Sequence, residues 1–189
     1  MTKLTPFILA SASPRREQLL VNIGFKPAQI IAADIDETPH TKEEPIAYAK
    51  RMATEKCEAI AALHPQDIIL AADTVVACGK RILAKAEDEK TARECLKLLS
   101  GRRHRVITAV AVHAAGKITC KAEMTVVQFS RLTDDDANHY IASSEWQGKA
   151  GGYGVQGYAG AFISQIVGSY TNVVGLPLFE TRNLLMAST

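Results

Sequence analysis

The segment that most limits what this chain can become is Asp67-Ile-Ile-Leu-Ala-Ala72, the most apolar short run of its first half. Six residues with no polar alternation suit a central strand buried on both faces, which in turn requires layers packed above and below a sheet. The run ends on Asp73-Thr74, at the strand end from which α/β sheets commonly present functional groups. Asp73 is therefore a candidate metal ligand or general base, set against a strand-end aspartate that merely caps the next turn.

The flanking punctuation supplies the layers. Pro6 to Ala10 is a second short apolar run. It is followed by Ser-Ala-Ser-Pro-Arg-Arg and then by Leu19, Leu20 and Ile23 at helical spacing up to Gly24, which reads as strand, tight turn, helix and glycine stop. Ser13 stands at the N-cap with Pro14 at N1. Residues 27–32 read as a second strand. Residues 43–63 read as a long helix, because Ile46, Ala49, Ala53, Cys57 and Ile60 share a face. Beyond Asp73, residues 75–78 and 81–83 suggest a hairpin around Gly79-Lys80, and 87–99 a helix ended by Ser100-Gly101. Residues 104–114 and 117–130 form a long antiparallel hairpin through Ala115-Gly116, followed by a helix capped by Thr133 and Asp134. A glycine-rich stretch over 148–160 leads to a strand around 161–167 and a closing helix near 177–186. Strands mixed with helices, and hairpins with crossovers, define an α/β protein with a mixed sheet.

Bulk properties narrow the function classes. A chain of 189 residues fits one domain spanning 1–189. No apolar stretch approaches membrane-span length, and the N-terminus shows no export signal, so the expected compartment is the cytoplasm. Cys57, Cys78, Cys95 and Cys120 are far apart and read as reduced thiols. The net charge of +2 is too small to attract nucleic acid as a polyanion, so neither a nucleic acid nor a membrane is the expected partner.

The chemistry-bearing residues point to a small anion. Arg15 and Arg16 fall in the first turn of a helix, where the macrodipole is already positive and unpaired N–H groups point outward. A serine-containing turn leading into that helix makes a phosphate cradle, and the alternative is a pair of solvated arginines. Glu37 lies in the acidic loop Asp34-Ile-Asp-Glu-Thr38. Paired in space with Asp73 it could hold magnesium, which takes few protein carboxylates, and a solvated loop is the alternative. Lys56 and Lys85 matter only if they converge on the same anion. Gln156, in Gly151-Gly-Tyr-Gly-Val-Gln-Gly157, carries an amide able to read a base edge, although its glycines could simply make a tight loop. The five histidines show no ligand spacing.

Several ordered stretches together resemble the Maf family of nucleoside triphosphate pyrophosphatases: Leu9-Ala-Ser-Ala-Ser-Pro-Arg-Arg16, Ala72-Asp-Thr-Val-Val76, Ser100-Gly101 with His104 and Thr108-Ala-Val110, Lys149 to Gly157, and Gly168 to Leu178. The resemblance implies a mixed-sheet Maf/Ham1 (ITPase-like) α/β fold with two lobes around a nucleotide cleft. It also implies a divalent cation, magnesium or manganese, and hydrolysis of a nucleoside triphosphate between its α- and β-phosphates. Carried over, Asp73 is the proton acceptor, while Arg15, Thr74 and Gln156 tune substrate choice. Ser11, Arg16, Glu37, Lys56 and Lys85 hold metal and triphosphate, with Glu37 and Asp73 on the metal. The Ala-Gly-Gly-Tyr-Gly-Val-Gln-Gly loop resembles the branch acting on dTTP and UTP, modified pyrimidine nucleotides included. A homodimer is implied, as is an association with septum formation, which makes a nucleotide-binding regulator the rival reading. The sequence departs from the family at Ala86, where proline is usual, and a changed affinity rather than lost activity is the expectation.

Overall fold

The computed structural model describes residues 5–188. Met1 to Leu4, the first part of the Met1 to Ala10 stretch in which the sequence shows no export signal, lie outside them. The chain runs β1 (Phe7–Ala10), α1 (Pro14–Asn22), β2 (Gln29–Ile30), α2 (Pro45–Ala61), β3 (Ile68–Cys78), β4 (Arg81–Leu83), β5 (Lys85–Ala86), α3 (Glu89–Leu99), β6 (Arg103–Ala114) and β7 (Lys117–Phe129). It continues through α4 (Asp134–Ala142), β8 (Lys149–Ala150), a 3-10 turn at Tyr158–Phe162, β9 (Ile163–Val167), α5 (Tyr170–Val174) and α6 (Leu178–Ala187). No helix among the described residues is long and apolar enough to cross a membrane.

The main sheet has the order β2-β1-β3-β6-β7-β9, with β4 also on β3. β1 pairs in parallel with both β2 and β3, and the other ladders are antiparallel, so the sheet is mixed as expected. Strand alternation sorts the apolar residues into layers. Ile8, Ala10, Ile69, Ala71, Ile107 and Ala109 face α2 through Ala49, Met52, Ala53 and Cys57. Phe7, Leu9, Leu70, Ala72, Val110 and Val112 face α1 and α6 through Leu19, Leu20, Leu184 and Leu185. A third cluster joins Val76 and Val106 to α3, α4 and the aromatic residues Phe129, Tyr140, Trp146, Tyr153 and Phe162. β3 and β6 contribute to all three. The first two clusters make one lobe and the third makes the other, with the cleft between them.

Three sequence expectations are corrected. β3 does not end at Ala72 but continues to Cys78, so Asp73 and Thr74 stand inside a strand rather than at its end. They look like terminators because they are polar, yet the β6 ladder runs through them, pairing Asp73 with Ala109 and Thr74 with Thr108. β2 contracts from the expected 27–32 to two exposed residues at the sheet edge, where a single neighbour supports it. The last strand starts at Ile163 because residues 158–162 coil into the 3-10 turn. The Ala115-Gly116 turn is as expected, both residues having positive φ (49° and 74°), the conformation of a two-residue hairpin loop. Thr133 caps α4 through a capping box whose second member is Asp136.

The glycine-rich segment is anchored by contact as well as by conformation. Gly151 has φ +67°, and a Cβ there would stand 2.8 Å from Val76 Cγ1 on β3. Gly151→Ala is expected to destabilise the protein by about 2 kcal/mol through strain and overlap. Urea denaturation of Gly151→Ala, Val76→Ala and the double variant checks it: relief of the overlap makes the double loss smaller than the sum of the single losses.

Candidate active site

The cleft exists because β1 is short. β1 accompanies β3 only as far as the Ala10–Ala71 pair, and β4 joins on that side only at the Val76–Leu83 pair. Between these points that edge of β3 has no strand neighbour, and the turn at residues 11–13 and the start of α1 border the opening. Alternation sends Asp73 to the α2 face and Thr74 to the opposite one, so one opening receives side chains from both faces of the sheet. The resulting cleft has a volume of about 650 Å³. Ser11, Arg15, Arg16, Glu37, Lys56, Asp73, Thr74, Lys85 and Gln156 all line it, so the structure brings every residue singled out in the sequence to one place.

On the α2 face, Lys56 Nζ lies 2.6 Å from Asp73 Oδ1 and 2.7 Å from Glu37 Oε1. Lys85 Nζ reaches the other oxygen of Glu37 at 2.6 Å. Lys56 and Asp73 are buried. A buried ammonium with one carboxylate removed would leave an uncompensated charge, so the three groups are mutually dependent. Burial by itself would raise the Glu37 carboxyl, but the hydrogen bonds and charges of Lys56 and Lys85 outweigh it and hold Glu37 down at about 2. Tyr48 on α2 donates its hydroxyl to the Glu37 carbonyl at 2.6 Å and so fixes the acidic loop.

On the other face Arg16 is held by the protein. Its Nε donates to the Gly175 carbonyl at 2.9 Å, Nη1 to Ser11 Oγ at 2.9 Å and Nη2 to Thr74 Oγ1 at 3.1 Å. Burial lowers its pKa below the ordinary value, and the Asp73 carboxylate opposes that shift. Ser13 sits at the N-cap position of α1 but its side chain makes no cap, while Ser11 Oγ accepts from the Ser13 amide. Behind Thr74 runs a buried relay. Its Oγ1 lies 3.0 Å from Thr108 Oγ1, and Thr108 gives its amide to Asn172 Oδ1 and its hydroxyl to the Asn172 carbonyl. Asn172 Nδ2 in turn donates to the Val106 carbonyl and to Thr125 Oγ1. Asn172, Thr108 and Thr125 are fully buried and every polar atom of the amide is used.

Sequence reasoning gives no role to Tyr48, Thr108, Asn172 or the Gly175 carbonyl. The signal for the last two was present in Gly168 to Leu178, a stretch matching the family without any assigned function.

The oxygen donors suit a hard divalent cation. Glu37 and Asp73 converge within 2.7 Å of a single positive centre, the Lys56 ammonium. No cluster of three or more His, Cys, Asp or Glu occurs among the described residues. Two carboxylates completed by water and phosphate oxygens is the arrangement magnesium prefers. Ala86, at the position of the family's usual proline, is fully buried in the β5–β8 ribbon, where its carbonyl accepts from the Gly148 amide.

A mixed-sheet α/β protein with a cation-lined, carboxylate-bearing cleft between two lobes is a binder of small phosphorylated anions. Residues 6–188 match the family model described as Maf-like protein, and the chain belongs to that family. It is 58% identical to the dTTP/UTP pyrophosphatase of Zymomonas mobilis over 95% of this chain and 89% of that one. It is 54% identical to the protein of that name from Novosphingobium aromaticivorans (96% and 90% covered) and 55% identical to the one from Caulobacter vibrioides (94% and 93%). Among solved structures, the Staphylococcus aureus Ham1 protein aligns with a TM-score of 0.48 and 14% identity, over 66% of this chain and 72% of that one.

The depressed Glu37 carboxyl makes a stability prediction. A folded value near 2 against an ordinary 4.5 means that its contribution is complete above about pH 4.5 and is lost as pH falls toward 2. Denaturation midpoints should show wild type more stable than Glu37→Gln at pH 6, with the gap closing between those two pH values. The gap is modest, because the Glu37 side chain is 36% exposed and screened.

Proposed function

We propose that this chain hydrolyses dTTP and UTP between the α- and β-phosphates, releasing the nucleoside monophosphate and pyrophosphate. The observation that carries the reading is the state of Asp73, a buried carboxylate facing the cleft with Oδ1 fixed by Lys56 and no protein partner for Oδ2 among the described residues. The names borne by relatives aligned over more than nine-tenths of the chain support the same substrates.

In this scheme a water oxygen attacks the α-phosphorus as Asp73 takes its proton. The new P–O bond forms as the bond to the bridging oxygen breaks, and pyrophosphate leaves with its negative charge stabilised by cleft cations. Magnesium or manganese held by Glu37 and Asp73 would supply further positive charge at the phosphate oxygens and lower the pKa of a bound water. Lys56 keeps the Asp73 carboxylate oriented, and Lys85 does the same for Glu37. Arg16 is fixed by Ser11, Thr74 and the Gly175 carbonyl, so its remaining N–H groups are aimed without further ordering. Gln156, exposed at the cleft and unbonded to protein among the described residues, presents donor and acceptor to the base edge, with Thr74 shaping the choice. A homodimer in the cytoplasm belongs to the same proposal.

Pyrophosphate release from a panel of canonical and modified nucleoside triphosphates, with magnesium or manganese, tests the activity. Wild type should act on dTTP and UTP, chelation should abolish turnover, and Asp73→Asn should lose about 10²–10⁴-fold in kcat, the range for a general base. Absence of release from every nucleotide, despite measurable dTTP binding, would overturn the proposal in favour of a regulator. A second measurement addresses Gln156→Ala, for which the preference for UTP over CTP should fall by about tenfold, the scale of one lost base-edge contact.

A further inference from the structure

The five cations lining the cleft are not equivalent. Lys56 is committed to Asp73 and Glu37, and Lys85 to Glu37. Three N–H groups of Arg16 are committed to Gly175, Ser11 and Thr74. Two charges are left over. Arg15, from the start of α1, makes no ion pair among the described residues. Lys149, from β8 in the opposite lobe, donates its ammonium only to the Glu145 backbone carbonyl among the described residues.

No ion pair joins Lys149 to a carboxylate among the described residues, although the Glu145 charge favours its ammonium form. The Glu145 carboxylate accepts from the Tyr158 amide at 2.8 Å. The lysine stem runs against Gly154, where a Cβ would come within 2.9 Å of Lys149 Cε and 3.1 Å of Cδ. Arg15 and Lys149 line one cleft, and burial and then the repulsion of Arg15 lower the pKa of Lys149 against the opposing pull of Glu145, so the two cations lie within each other's field. Like charges brought together from two lobes, neither held in an ion pair among the described residues, are unfavourable until an anion stands between them.

We propose that Arg15 and Lys149 form the seat for the pyrophosphate half of the substrate, one cation from each lobe. This inference rests on the pyrophosphatase reading above, assigns the leaving group to residues other than those already tied up inside the protein, and moves Arg15 from the substrate-choice role that the family resemblance implies to the phosphate end. The competing role for Lys149 is a brace that ties the Glu145 carbonyl to the glycine-rich loop. A brace depends on stem and shape, whereas a seat depends on charge.

Calorimetric titration of the magnesium-loaded protein with inorganic pyrophosphate and, separately, with dTMP distinguishes them. Lys149→Met keeps the stem and removes the charge, and it should weaken pyrophosphate binding by about tenfold or more, the worth of a charge-assisted hydrogen bond. Its dTMP affinity should stay within about twofold of wild type on the same scale. Lys149→Arg should restore most of the loss, and Arg15→Met should reproduce it. Unchanged pyrophosphate affinity in both methionine variants would overturn the proposal, as would equal weakening toward dTMP and pyrophosphate, or no binding of pyrophosphate to wild type. Thermal midpoints confirm folding, and if Lys149→Met does not fold, Arg15→Met carries the test alone. Because binding is read without turnover, failure to hydrolyse dTTP would sink the activity proposal while these titrations still judge the seat.

Discussion

The antiparallel ladder between β3 and β6, from the Ile69–His113 pair to the Ala77–Arg105 pair, is the constraint on which the other features hang. It fixes which residues of β3 look up and which look down. Its opposite edge is filled by β1 in one half and by β4 in the other, and the interval between them is the opening of the cleft. A sheet edge with unpaired groups is normally a liability. Here it is bordered by the turn at 11–13 and the start of α1, and the side chains at the interval are Asp73 and Thr74. The position of the site is thus a product of strand lengths.

Two polar systems flank that opening and differ in kind. Around Asp73 the groups are ionic and partly wet, tuned by Lys56 and Lys85. Around Thr74 they are neutral and dry: Thr108, Asn172 and Thr125 are satisfied by one another and by the Val106 and Ser169 backbone, and the relay ends at the loop whose Gly175 carbonyl grips Arg16. A fully satisfied buried network specifies one geometry, while a half-satisfied one would cost more than an apolar core. Arg16 is thereby positioned from β6 and β7 as well as from its own helix.

Much of this was legible beforehand. Continuous apolar runs located β1 and β3, helical spacing located α2, and the Ala115-Gly116 turn located the β6–β7 hairpin. What failed to show in the sequence failed for physical reasons. Asp73 and Thr74 read as a strand terminus because polarity is a proxy for exposure, and in a cleft the proxy breaks. The β5–β8 ribbon is two residues on each side, too short for any period to register. The grouping of nine site residues came from motif resemblance, since no local pattern predicts that Arg16 will meet a carbonyl 159 residues away. The same limit hid the division of labour among the cations, because pairing is a property of the folded chain.

Threading β3 and β6 through both lobes also has a mechanical meaning. Proteins that close over a ligand commonly swing about a few loop residues that absorb the backbone rotation. This molecule has two continuous hydrogen-bonded strands where such a joint would be, with side chains from both embedded in each lobe's core. Any widening of the cleft must therefore be accommodated as a change of twist distributed along a ribbon. The lobes behave like the two ends of a leaf spring rather than the two plates of a door.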